Sequence, residues 1–166
     1  MASILLIEDL PNKADRRVQA LTDAGHSVQA VVRERLSEFK SDVRDALGEK
    51  RFDFLLLDIN LNGDQWAGAE LFNWLQSGAF RNRWDHSIIT TMYFAGTLPT
   101  SYDANGPDAF MLKLFASTAQ IPFENVLPST NGVGGKTAIQ MLVQRIDELV
   151  AQGPPARCTV CDEKKV

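Results

Sequence analysis

The sequence predicts a doubly wound α/β fold on a five-stranded parallel sheet, and three observations carry that expectation. Short, nearly continuous apolar runs recur along the 166 residues, as in strands buried on both faces. Between them lie stretches with apolar residues three and four apart, the period of an amphipathic helix. Strands alternating with helices pair in parallel through right-handed crossovers.

The elements follow in order. Ser3 to Ile7 is a first strand, and Ala14, Val18 and Leu21 continue at helical spacing until Gly25 supplies a stop. Val28, Ala30 and Val32 form a second strand. Val31 breaks its alternation, so burial on both faces is expected. Leu36, Phe39, Val43 and Leu47 make a second helix that ends at Gly48. Phe52 to Leu57 is the clearest strand, followed by a turn rich in Gly and Asp and a helix carrying Ala69, Phe72 and Leu75. Ser87 to Met92 is a fourth strand. Ala109 to Leu112, between Gly106-Pro107 and Lys113, is expected as the fifth.

Phe94 to Pro107 has no helical spacing, so a fourth helix is short or replaced by a loop, and residues 116–135 read as a long connection. Gly132 to Thr137 lacks P-loop spacing, because Thr130 stands where the first glycine is needed. It reads as a helix entry. The last helix runs from Lys136 to Ala151, with Ile139, Leu142, Ile146 and Leu149 on one stripe. One domain over residues 1–152 and a flexible tail over 153–166 complete the plan. The tail holds Cys158 and Cys161, half the ligands of a zinc site.

Composition narrows the function. A net charge of −4 gives no general attraction to nucleic acid, and no apolar stretch approaches the ~20 residues that span a bilayer. A cytoplasmic protein with neither nucleic acid nor membrane as partner is expected. Trp66, Trp74 and Trp84, with Phe72 and Phe80, suit a core or a partner-facing patch better than a base-stacking platform.

In a doubly wound fold, ligands sit beyond the carboxyl ends of the strands. Glu8 and Asp9 end the first strand, Asp58 ends the third, Thr90 and Thr91 lie near the end of the fourth, and Lys113 follows the expected fifth. Clustered carboxylates repel one another unless a cation or proton neutralises them, which points to a divalent metal held by hard oxygen ligands.

These residues resemble the receiver domain of bacterial two-component response regulators, a flavodoxin-like fold. Ile4-Leu5-Leu6-Ile7-Glu8-Asp9 looks like its first strand and acidic pair. Ala24-Gly25-His26-Ser27-Val28 resembles the following turn, and Asp53 to Leu61 the strand with the phosphoacceptor. Gly106 to Phe115 is similar to its lysine-bearing segment.

The resemblance implies that Asp58 accepts a phosphoryl group from a sensor histidine kinase or a phosphotransfer protein, forming an aspartyl phosphate. Glu8, Asp9, Asp58 and the carbonyl of Asn60 would hold Mg²⁺. Lys113 would neutralise the phosphoryl charge, Thr91 or Thr90 would donate a hydroxyl to it, and Phe110 would sit at the switch aromatic. A stand-alone receiver of this kind is not an enzyme and signals by contact with an output protein.

The sequence departs from the family in three places. The turn from Asp58 to Gly68 is about two residues longer, through Asn62-Gly63-Asp64-Gln65-Trp66. Strict register would put Met92 at the hydroxyl position. Leu114 follows Lys113 where the family commonly has a cis proline, and a cis bond there would cost ~2.5–4 kcal/mol. These departures support an alternative, a receiver-shaped interaction module that is not phosphorylated. A Mg²⁺-dependent phosphatase would want an acid where Asn60 stands. His26 and His86 lie away from the carboxylates, so neither suits a serine nucleophile there.

Overall fold

The computed structural model describes residues 1–64, 66–92, 114–129 and 134–155. Five parallel strands form one sheet: β1 (Ser3–Glu8), β2 (Ser27–Val32), β3 (Phe52–Asp58), β4 (Trp84–Thr91) and β5 (Val126–Pro128). Their order across the sheet is β2-β1-β3-β4-β5, so the winding reverses between β1 and β3. At that switch point the two strand ends open a crevice.

The helices are α1 (Pro11–Asp23), α2 (Leu36–Glu49), α3 (Ala67–Ser77), α4 at residues 114–118 and α5 (Ala138–Gln152). Strand pleating divides the core between the two faces. Ile4, Leu6, Phe54, Leu56 and Ile88 pack against Ala14 and Leu21 of α1 and Leu142, Ile146 and Leu149 of α5. Leu5, Ile7, Leu55, Leu57 and Ile89 face the other way, onto Phe39, Val43 and Leu47 of α2 and Leu71, Phe72 and Leu75 of α3. The central strands carry apolar residues on both faces because both are covered.

Two expectations are corrected. β2 pairs only with β1 and lies at the sheet edge, so Val31 alone of its residues is buried. The fifth strand of this sheet is Val126–Pro128, paired with Ile89 to Thr91. The segment expected in its place, 109–112, lies outside the described residues. The supposed connection over residues 116–135 therefore contains the rest of α4, a 3₁₀ turn (Phe123–Asn125) and β5. A strand ending in proline is tolerated at a sheet edge, where the missing N–H removes no ladder bond.

Of the aromatic cluster, Phe72 and Trp84 are core, and Trp66, Trp74 and Phe80 are half-buried against it. Phe72 and Trp84 meet edge to face with ring centroids 6.2 Å apart, and Trp74 packs on Phe80 at 6.3 Å. Phe94 to Pro107, Gly132-Val133 and the Cys158/Cys161 tail lie outside the described residues.

Candidate functional site

The carboxyl ends of β1 and β3 bring Glu8 and Asp58 together, both without solvent exposure. Buried carboxylates demand partners, and each oxygen has one. Glu8 Oε1 accepts from the backbone N–H groups of Asp9 at 3.1 Å and Leu10 at 3.3 Å. Its Oε2 accepts from Arg17 Nη1 at 2.7 Å. Asp58 Oδ1 accepts from the Asn60 N–H at 3.0 Å, and Oδ2 accepts from the Ser129 hydroxyl at 3.0 Å and from the Lys13 ammonium.

Both cations come from α1. Lys13 and Arg17 are one helical turn apart and so share a face of the helix, and α1 begins just past the end of β1. Lys13 Nζ also lies 3.5 Å from Glu8 Oε2, and Arg17 Nη2 lies 3.8 Å from Asp58 Oδ2. Arg17 is 3% exposed, and its Nη2 donates to Thr90 Oγ1 at 3.0 Å and to the Ser129 carbonyl at 3.5 Å. One guanidinium thus links the ends of β1, β4 and β5. A cleft of about 590 Å³ between α1 and the start of α5 opens over the cluster, lined by Lys13, Arg16, Arg17, Ser129 and Thr137 among others.

Electrostatics follow from this burial. Loss of water, reinforced by the charge of Asp58, pushes the Glu8 carboxyl up to about 7, against the opposing pull of Arg17 and Lys13.

The other expected site residues fall as follows. Asp9 hydrogen-bonds through its side chain with the Glu8 carboxyl, and its Oδ2 accepts from the Asn62 N–H at 2.8 Å. The longer turn explains this last bond. Asn62 and Gly63 are both left-handed (φ 58° and 71°), and the Asp64 N–H closes on the Leu61 carbonyl at 2.9 Å, the tight turn that an Asn-Gly pair favours. Asn60 Oδ1 accepts from the Met92 N–H at 2.9 Å and the Thr91 hydroxyl at 3.3 Å.

Thr91 therefore points at Asn60, while Thr90, opposite Asp58 in the β3–β4 ladder, joins the Arg17 network. Lys113 and Phe110 lie outside the described residues. His26 is buried between the Ala2 N–H and Asp147, and His86 stacks on Phe54 toward the amino ends of the strands, away from the site.

Sequence reasoning missed Lys13, Arg17 and Ser129. Arg17 left a readable signal. It sits on the same stripe as Ala14 and Leu21, and a charge on the buried face of a helix needs a buried partner.

The donor set can be tested for the divalent ion that the fold family implies. Mg²⁺ wants several oxygens at ~2.0–2.1 Å. Here the facing oxygens of Glu8 and Asp58 already carry an ammonium and a guanidinium, and Asp9 Oδ2 is engaged by the Asn62 N–H. Among the described residues no three His, Cys, Asp or Glu side chains converge on one point. The residues as arranged do not fit the ion.

No family model matches this sequence, and no curated protein matches it. Solved structures do. A receiver domain protein from Methanospirillum hungatei superposes with a TM-score of 0.58 at 16% identity, over 92% of this chain and 96% of the other. A response regulator from Thermotoga maritima gives 0.55 at 12%, over 90% and 97%. The receiver domain of a signal-transduction histidine kinase from Syntrophus aciditrophicus gives 0.57 at 14%, over 95% and 96%.

The chain has the fold of a CheY-like receiver domain. Identities this low carry the fold alone. No helix among the described residues is long and apolar enough to cross a membrane.

Proposed function

We propose that this chain is a signal receiver that accepts a phosphoryl group on Asp58 from a histidine kinase or phosphotransfer protein and signals through contact with an output protein. A carboxylate oxygen of Asp58 attacks phosphorus, a P–O bond forms, the P–N bond of the donor's phosphoimidazole, protonated on its other ring nitrogen, breaks, and neutral imidazole leaves. The observation that carries this reading is one oxygen, Asp58 Oδ2. It sits at the end of the central strand with an ammonium from Lys13 and a hydroxyl from Ser129 both donating to it. Compact cations and hydroxyl donors suit the growing negative charge of a phosphoryl oxygen.

A second reading, a receiver-shaped module that works unphosphorylated, is supported by the complete burial of Asp58 and by the engagement of both its oxygens. Incubation with acetyl phosphate or phosphoramidate, with and without Mg²⁺, followed by intact mass, separates the two. Gain of one phosphoryl group that is absent in Asp58→Asn supports phosphotransfer. No gain at saturating donor selects the second reading.

A further inference from the structure

We propose that Lys13 and Arg17 are built-in counter-cations of the Asp58 pocket, standing where a divalent ion would bind. The native chain is then indifferent to Mg²⁺, and loss of Lys13 opens the pocket to it.

Four charges close on themselves here. Glu8 Oε2 and Asp58 Oδ2 are each approached by both cations: Arg17 at 2.7 Å and 3.8 Å, and Lys13 at 3.5 Å from Glu8 and in direct contact with Asp58. Among the described residues, Lys13 and Arg17 thus set two positive charges against these two carboxylates and offset the negative charge that would draw a dication. An ion placed between these oxygens would meet the ammonium and the guanidinium at contact range, inside a site where water does little to screen them. Of the third carboxylate, Asp9, Oδ2 is engaged by the Asn62 N–H of the left-handed Asn62-Gly63 turn, and the side chain also hydrogen-bonds with Glu8.

The two cations differ in how firmly they are held. Arg17 is sealed in and bonded to groups on three strands or strand ends, so it stays. The Lys13 side chain is 19% exposed on the wall of the cleft, so it is the removable partner and the gate to the carboxylates. None of this depends on Asp58 being phosphorylated, and binding of a metal is measured separately from phosphotransfer.

The test uses the full chain with Mg²⁺ and Mn²⁺ as probes. Wild-type protein in MgCl₂ melts at the same temperature as in KCl of equal ionic strength, and the electron paramagnetic resonance signal of free Mn²⁺ is undiminished by it. Lys13→Met binds Mn²⁺ saturably, one per chain and at least ~10-fold more tightly than wild type, and its melting temperature rises with Mg²⁺. Asp58→Asn in that background abolishes the gain, and Lys13→Arg stays metal-insensitive. If Lys13→Met is unfolded without metal, refolding on addition of Mg²⁺ counts as the same gain. Saturable one-to-one Mn²⁺ binding by wild type, or a Lys13→Met variant with no metal-dependent binding or recovery, overturns the proposal.

Discussion

At the scale of single residues, Glu8 should control how stability depends on pH. Its carboxyl is raised from an ordinary 4.5 to about 7 in the folded chain. Below 4.5 the group is protonated in both states. As pH rises from there toward 7, the unfolded chain releases its proton while the folded chain keeps it, so this group's contribution to stability is lost across that window. A displacement of that size corresponds to ~3 kcal/mol. Glu8→Gln cannot titrate. Urea unfolding of wild type and variant between pH 4.5 and 8 should show wild type losing ~3 kcal/mol relative to the variant. Parallel curves would mean that Glu8 titrates normally.

The sequence reveals this residue more readily than its partners. A carboxylate ending an apolar run is conspicuous, whereas Ser129 follows a strand of only three residues that itself ends in Pro128. Lys13 looks like any solvated lysine on a helix.

At the scale of elements, most of the fold was legible because burial on both sheet faces imposes apolar runs on β1 and β3, and an apolar pair on β4, whatever the loops do. β2 was legible as a strand but not as an edge, since partial exposure leaves room for valines that an edge does not require. β5 failed for the opposite reason. Its ladder is short, proline ends it, and a longer apolar run at 109–112 competed for the assignment.

The junction of β3 with α3 depends on one small residue. The Gly68 N–H donates to the Ile59 carbonyl at 3.0 Å, and a Cβ on Gly68 would overlap the Asp58 carbonyl oxygen and the Ile59 backbone, with the Ile59 carbonyl carbon at 2.9 Å. These are backbone atoms and cannot swing away. Gly68→Ala should therefore cost ~1–3 kcal/mol, as overpacking does, and shift the turn that positions Asn60 and Asn62. Thermal melting reads the first effect. A variant as stable as wild type would show that α3 can back off freely.

At the scale of the whole molecule, the Asp58 cluster ties one side of the sheet together. Asp58 reaches α1 through Lys13 and the end of β5 through Ser129. Arg17 adds β1, β4 and the Ser129 backbone. Beyond β5, α5 packs on the same face as α1 and shares its core. Among the described residues, the opposite face, under α2 and α3, contributes apolar packing and no ion pair to the cluster. A charge change at Asp58 should therefore be felt first along α1, β5 and the start of α5, because those elements hold the groups that must rearrange.

Asp58→Asn removes the charge while keeping the shape, so it imitates release of the two cations. Hydrogen exchange by mass spectrometry should show faster exchange in Pro11–Asp23 and Val126–Pro128, with Leu36–Glu49 unchanged. Acceleration spread evenly over both faces would indicate general destabilisation. Acceleration confined to α2 and α3 would place the coupling on the other side of the sheet and refute this route.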